Sequence, residues 1–143
     1  MSDIADQLRE RTFRYFLRIL TFCRRLPDTW EMRELGRQLL RSGMGVAGNY
    51  RSACRGRSDR EFIAKLGVAV DEADESVLWL TAFVRGGIRE DLETKNLLSE
   101  GGEIRAILSK SHKTARENRQ RKAREARARK STHQLTNPPT HQL

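Results

Sequence analysis

Apolar positions along this chain return with helical spacing in four blocks. In the first, from near Ile4 to Leu26, Phe13, Phe16, Leu20 and Cys23 form a seam, and Arg11, Arg14, Arg18 and Arg25 fall on the opposite side. Pro27 ends that block, because the residue before a proline is pushed out of the helical region. Asp28 or Thr29 is placed to cap the second helix, and Asp28 to Glu31 has capping-box spacing. This helix reaches about Arg55 and carries Leu35, Leu39, Val46, Tyr50, Ala53 and Cys54 on one face. Gly43, Gly45 and Gly48 interrupt it, each costing roughly 1 kcal/mol relative to alanine in a helix interior. Close backbone packing is the expected compensation, and a local kink is the alternative.

Gly56, which has no Cβ, is expected to take the left-handed conformation that ends a helix. Ser58 then stands three residues before Glu61. In a capping box the serine hydroxyl accepts from the Glu61 N–H, and the Glu61 carboxylate reaches back to the Ser58 N–H. Past this start, Phe62, Leu66, Ala69, Ala73, Ser76, Leu80 and Phe83 recur in steps of four and three, with Ile63, Val70, Val77 and Val84 widening the seam into a bundle face. Gly86 and Gly87 end the third helix. The fourth starts between Arg89 and Thr94 and buries Leu97, Gly101, Ile104 and Leu108. The pattern predicts helices over about 4–26, 30–55, 59–85 and 90–109 or longer, which together make residues 1–109 an all-α, antiparallel up-down-up-down four-helix bundle.

Beyond Leu108 the apolar pattern stops. From Ser109 to Lys130 the only hydrophobic residues are alanines, so 110–130 is a basic extension that is either a frayed continuation of helix four or disordered. Residues 131–143, with Thr-His-Gln-Leu at 132–135 and again at 140–143, read as a disordered tail.

Charge changes the picture more than composition does. The 143 residues carry a net +9, spread as −2 over 1–8, +8 over 9–60, −5 over 61–109 and +8 over 110–143. Within the second helix Arg33, Arg37, Arg41, Arg51 and Arg55 project inside an arc of roughly 80°. Five guanidinium groups on one exposed stripe repel one another unless something anionic sits between them. Arginine suits phosphate because its planar fork donates two parallel hydrogen bonds. The alternative is a solvated face, or salt bridges to helix-three acids of a neighbouring subunit. The candidate nucleic-acid-binding residues are these five, Arg57, and Arg116, Arg119, Arg121, Lys122, Arg124 and Arg127 of the extension, which resembles arginine-rich segments that order on RNA. Trp30, Tyr50 and Trp79 sit where core or interface packing explains them, so backbone contact without strong sequence preference is expected.

The runs Leu39-Leu40-Arg41-Ser42-Gly43, Gly48-Asn49-Tyr50-Arg51, Arg57-Ser58, Glu61-Phe62-Ile63-Ala64-Lys65-Leu66-Gly67 and Glu72-Ala73-Asp74-Glu75-Ser76, with Trp79-Leu80, give the chain a family likeness. Between about Phe13 and Leu108 it resembles the four helix bundle protein family, which includes proteins encoded in intervening sequences of bacterial 23S ribosomal RNA genes. The accessory protein of diversity-generating retroelements is a relative. The resemblance implies a small all-α subunit in a homopentameric ring with a basic surface. It also implies a possible reverse transcriptase partner, since the retroelement accessory protein binds nucleic acid and such an enzyme. Asn49 and Glu61 match family-typical positions, explained by an interhelical hydrogen bond and the capping box. Where many relatives have a Glu-Gly pair at the end of helix two, this chain has Ser52-Ala53, so no role of that glutamate carries over.

No nucleophile–base pair, phosphate loop or nucleotide fingerprint appears, so no enzyme, cofactor or metal is expected. Asp71, Glu72, Asp74 and Glu75 cluster on helix three without a histidine, and pairing with arginines is the expected role. Nothing approaches the ~20 apolar residues of a membrane span. The first ten residues carry no secretion signature. Cys23 and Cys54 read as buried reduced thiols, consistent with a cytoplasmic setting. The function expected is non-enzymatic binding of RNA or DNA backbone by an oligomeric bundle. The alternative is an accessory subunit whose basic face docks an acidic protein, such as a reverse transcriptase.

Overall fold

The computed structural model describes residues 3–137. Four helices make up nearly all of it: α1 (Asp3–Arg24), α2 (Trp30–Cys54), α3 (Asp59–Arg85) and α4 (Leu92–Thr136). No strand occurs among the described residues. Three side-chain caps set the starts. Thr29 accepts from the Met32 N–H, Ser58 from the Glu61 N–H and Asp91 from the Thr94 N–H. Arg89, whose guanidinium lies 4.4 Å above the Phe22 ring, donates to Asp91 as well. With the Thr94 N–H, it holds the Asp91 carboxyl well below its ordinary range, at about 2.

Two end signals differ from expectation in detail. The Glu61 carboxylate accepts from the Arg57 N–H at 2.7 Å rather than from Ser58, one residue further back along the incoming chain. Gly56 is not left-handed: among the described residues Gly87, at φ 67°, is the one glycine with positive φ. Gly56 is needed for space, since a Cβ there would stand 3.1 Å from both the Ala53 carbonyl oxygen and the Phe62 nitrogen.

The core joins all four helices. It holds Tyr15, Ile19 and Phe22 of α1, Leu39, Val46 and Tyr50 of α2, Leu66, Leu80 and Phe83 of α3, and Leu97, Ile104 and Leu108 of α4. Phe22 meets Phe83 edge-on at 5.2 Å, and the Tyr15 hydroxyl reaches Ser76 Oγ at 2.9 Å. The seams of α3 and α4 are the expected ones. That of α1 is not: Leu8, Thr12, Tyr15, Ile19 and Phe22 are buried, whereas Phe13 is exposed and Phe16, Leu20 and Cys23 are half-buried. α1 carries two apolar stripes, and the one containing Thr12 and Tyr15 faces the core because Thr12 satisfies its hydroxyl on the Arg9 carbonyl and Tyr15 on Ser76. Arg11, expected on the outer side, turns to α4 and pairs with Glu100 at 2.5 Å and Glu103 at 2.6 Å.

The glycines of α2 divide. A Cβ on Gly43 would stand 2.8 Å from Ile19 Cδ1, and one on Gly45 would stand 2.6 Å from the Glu72 carboxyl carbon, so close packing explains both. A Cβ on Gly48 would meet nothing within 4 Å. Asn49, expected to bond between helices, instead donates to the Gly45 carbonyl within α2 at 2.8 Å.

Contacts between α3 and α4 pair Asp74 with Arg105, Gly67 with His112 and Asp59 with Lys122. α4 does not stop where its apolar seam does. It runs unbroken through the basic segment to Thr136, so residues 131–136, expected to be disordered, are helical; residues 138–143 lie outside the described residues. No glycine or proline occurs between Gly102 and Pro138, and Thr132 and Thr136 return their hydroxyls to the Ala128 and Thr132 carbonyls.

Candidate nucleic-acid interface

The basic stripe is built by α2, whose inward face is fixed by Met32, Leu39, Val46, Tyr50 and Ala53. With those residues inside, Arg33, Arg37, Arg41 and Arg51 are carried to the outside, and all four are exposed. Arg33 donates to the Asp28 carboxylate at 2.7 Å, an exposed pair that adds little stability. Arg37, Arg41, Arg51, Arg55 and Arg57 have no carboxylate within salt-bridge distance among the described residues. Five guanidinium groups thus stand in solvent with no ion pair among the described residues.

The predicted residues form one line and one cluster rather than a single patch. From Arg33 to Arg55 the helix rises about 33 Å. Arg55 and Arg57 lie at the end where α2 turns into α3, and there α4 passes alongside: Lys122 Nζ is 3.4 Å from the Asp59 carboxylate. A cleft at this end, lined in part by Leu8, Tyr50, Arg57, Phe62 and Ser111, joins the starts of α1 and α3 to α4. Arg116, Arg119, Arg121, Lys122, Arg124 and Arg127 are all exposed on the same helix as it leaves the bundle, with Arg121 3.8 Å from Glu125. Beyond Lys122 the helix continues for about 21 Å. Arg33 and Arg37 occupy the far part of α2 and do not join this cluster. Arg60, exposed in the first turn of α3 and in no ion pair among the described residues, joins it and is not among the sequence-predicted contacts, because the wheel that groups the α2 arginines does not extend to another helix.

Two further exposed residues lie in the α2 arc, neither of them among the sequence-predicted contacts. Trp30 is 73% exposed and Met44 53%. Counted on the helix, both project between Arg33 and Arg41. Core or interface packing is the sequence expectation for Trp30; its spacing of three residues from Arg33 and seven from Arg37 places it on the stripe. Tyr50, in contrast, is buried, and Trp79 is half-buried with its indole N–H unpartnered.

Among the described residues the acids of α3 form no ion pair with the stripe. Asp74 is taken by Arg105 at 2.9 Å, and Asp71 and Glu75 are exposed. Glu72 folds over Gly45 with one carboxylate oxygen out of solvent and unpartnered. Desolvation, and then the negative charge of Glu75, raise its pKa above the ordinary carboxylate value; Arg41 offsets part of this, and Asp71 adds to it. A raised folded-state pKa contributes stability that is complete below the unfolded value and is lost as pH rises through the folded one. Glu72→Gln should therefore raise the thermal midpoint at pH 7. That gain should shrink as pH falls through the carboxylate range and the wild-type carboxyl takes up its proton. Thermal melts across this range check it, and a gain independent of pH would contradict it.

Both thiols are free and half-buried; Cys23 donates to the Gly36 carbonyl, and burial pushes its thiol up to about 11. No helix among the described residues is long and apolar enough to cross a membrane.

Comparison with known proteins bears on this arrangement. A family model described as 23S rRNA-intervening sequence protein matches residues 7–110. Among solved structures the chain is similar to that of a protein with unknown function from the S23 ribosomal protein family of Bacteroides thetaiotaomicron. The two share 25% identity and a TM-score of 0.70, over 76% of this chain and 97% of that one. No curated protein matches. The family match ends at residue 110, so the basic cluster on the far part of α4 lies outside it.

Proposed function

We propose, for a chain that belongs to the 23S rRNA-intervening sequence protein family, a non-enzymatic role in binding the backbone of RNA or DNA as an up-down-up-down bundle. The observation that carries this reading is the row Arg37, Arg41 and Arg51, exposed on α2 and in no ion pair among the described residues. Gly48 supports it. A glycine within a helix costs about 1 kcal/mol relative to alanine, and among the described residues nothing would lie within 4 Å of a Cβ on Gly48 to account for it. It stands on the stripe between Arg41 and Arg51, where a bare backbone lets a ligand approach closely.

Fluorescence anisotropy of the intact chain with random RNA and DNA across a salt series tests the reading. Each neutralised phosphate contributes about −0.7 to −0.9 to the log–log salt slope, so five arginines should give about −3.5 to −4.5 or steeper. No response at low salt removes the proposal.

The reading includes assembly into a homo-oligomeric ring in the cytoplasm, five-fold by resemblance. What supports assembly is the second apolar stripe of α1, where Phe13 and Leu17 stay exposed beside α2. Light scattering at micromolar concentration should give a multiple of the 16.5 kDa monomer mass, and a value near one monomer refutes the ring. The second reading is an accessory subunit whose basic face docks an acidic protein such as a reverse transcriptase. That reading predicts salt-sensitive binding to an acidic protein by a chain that gives no response with RNA or DNA.

A further inference from the structure

We infer that Trp30 is a stacking platform for an unpaired nucleobase, so that the α2 stripe takes single-stranded nucleic acid rather than polyanions in general. The inference rests on the nucleic-acid reading above and adds the class of ligand. Trp30 is the first residue of α2, and its ring is the least buried large aromatic among the described residues, at 73% exposure. Burying an indole is strongly favourable, so an indole left this open in a chain that buries Tyr15, Phe22 and Phe83 calls for a partner outside the chain.

Its place identifies that partner. Counting round the helix, Trp30 falls inside the same arc as Arg33, Arg37 and Arg41, which follow it in steps of three, four and four residues. Each step advances about 5–6 Å along one edge, so an aromatic face opens a row of guanidinium groups. Single-stranded nucleic acid is bound by this pairing, with cations tracking the phosphates and an aromatic ring stacking on a base. A duplex offers the phosphates but keeps its bases stacked inside. An acidic protein surface would satisfy the arginines and leave the indole unused. Met44, 53% exposed further along the arc, adds a second apolar contact for a base.

The test compares two strands with the same phosphates: a mixed-sequence single-stranded DNA and an abasic strand of equal length. Binding of the base-bearing strand should quench tryptophan emission, and Trp30→Phe should abolish the quenching while keeping most of the affinity, because Trp79 is half-buried and a phenyl ring still stacks. Trp30→Ala should weaken the base-bearing strand about tenfold or more and leave the abasic strand unchanged. The inference is overturned if Trp30→Ala weakens both strands equally or neither, or if it lowers the mass in light scattering, which would place the ring at a subunit contact. Those results leave backbone binding intact. Failure of the unsubstituted chain to bind either strand removes the nucleic-acid reading together with this one. Trp30 is exposed, so thermal melts should show both variants folded.

Discussion

Gly101→Ala is expected to destabilise the fold by about 2–4 kcal/mol, whereas Gly102→Ala, one residue away, should stabilise it by up to ~1 kcal/mol. Both glycines lie inside α4, and alanine is the better helix former at either position. The difference is what a Cβ would meet. At Gly102 nothing lies within 4 Å. At Gly101 the new methyl would overlap the Tyr15 hydroxyl, with Tyr15 Cζ at 3.1 Å and Val77 Cγ2 at 3.3 Å. Tyr15 is held in place. Its ring is buried, its hydroxyl bonds Ser76, and Ser76 in turn donates to the Ala73 carbonyl at 2.7 Å. Burial accordingly pushes the phenol up to about 12. Forcing the ring aside breaks this chain of bonds and strands a buried hydroxyl. Urea midpoints of the two variants decide the point, and equal stability would mean that α4 does not close against Tyr15. Adding Tyr15→Phe to Gly101→Ala should recover part of the loss, because it removes the atom in the way.

The same contact shows why the bundle was legible in the sequence while the placing of α1 was not. The seams of α3 and α4 are made of residues whose hydrophobicity and burial agree, such as Leu66, Leu80, Leu97 and Leu108, so a period of 3.6 finds them. On α1 Phe13, Phe16 and Leu20 lie beside the core, and the buried stripe includes Thr12 and Tyr15, whose hydroxyls find partners at the Arg9 carbonyl one turn back and at Ser76 of α3. Periodicity cannot see those partners. Helix starts were readable because caps are local chemistry, as Ser58 with Glu61 demonstrates. The reach of α4 was not, because a polar helix with no packed face offers no periodic signal, and only the absence of glycine and proline hinted at its length. For the candidate site, the arginine stripe followed from wheel geometry alone. Arg60, Trp30 and Met44 needed exposure values, which depend on the tertiary fold.

Replacing Arg37, Arg41, Arg51 and Arg55 together by glutamine should reduce nucleic-acid affinity about a thousandfold at 0.1 M salt and flatten the log–log salt slope by roughly 3, four contacts at 0.7–0.9 each. The fold should hardly notice. All four side chains are exposed and unpaired, and glutamine is a good helix former, so stability should change by no more than ~1 kcal/mol. Arg11 supplies the contrast. Its guanidinium is already neutralised by Glu100 and Glu103 across the α1–α4 seam, so Arg11→Gln should lower stability and leave affinity and salt slope where they were. Full charge removed from one helix and from another would then have opposite consequences, which a general loss of positive charge cannot mimic. Substituting Arg116, Arg119, Arg124 and Arg127 separates the two basic regions, since these lie at the other end of a roughly 33 Å span from Arg33. If that variant loses binding while the α2 variant keeps it, the bundle only holds out the end of α4, and the stripe on α2 is a solvated face.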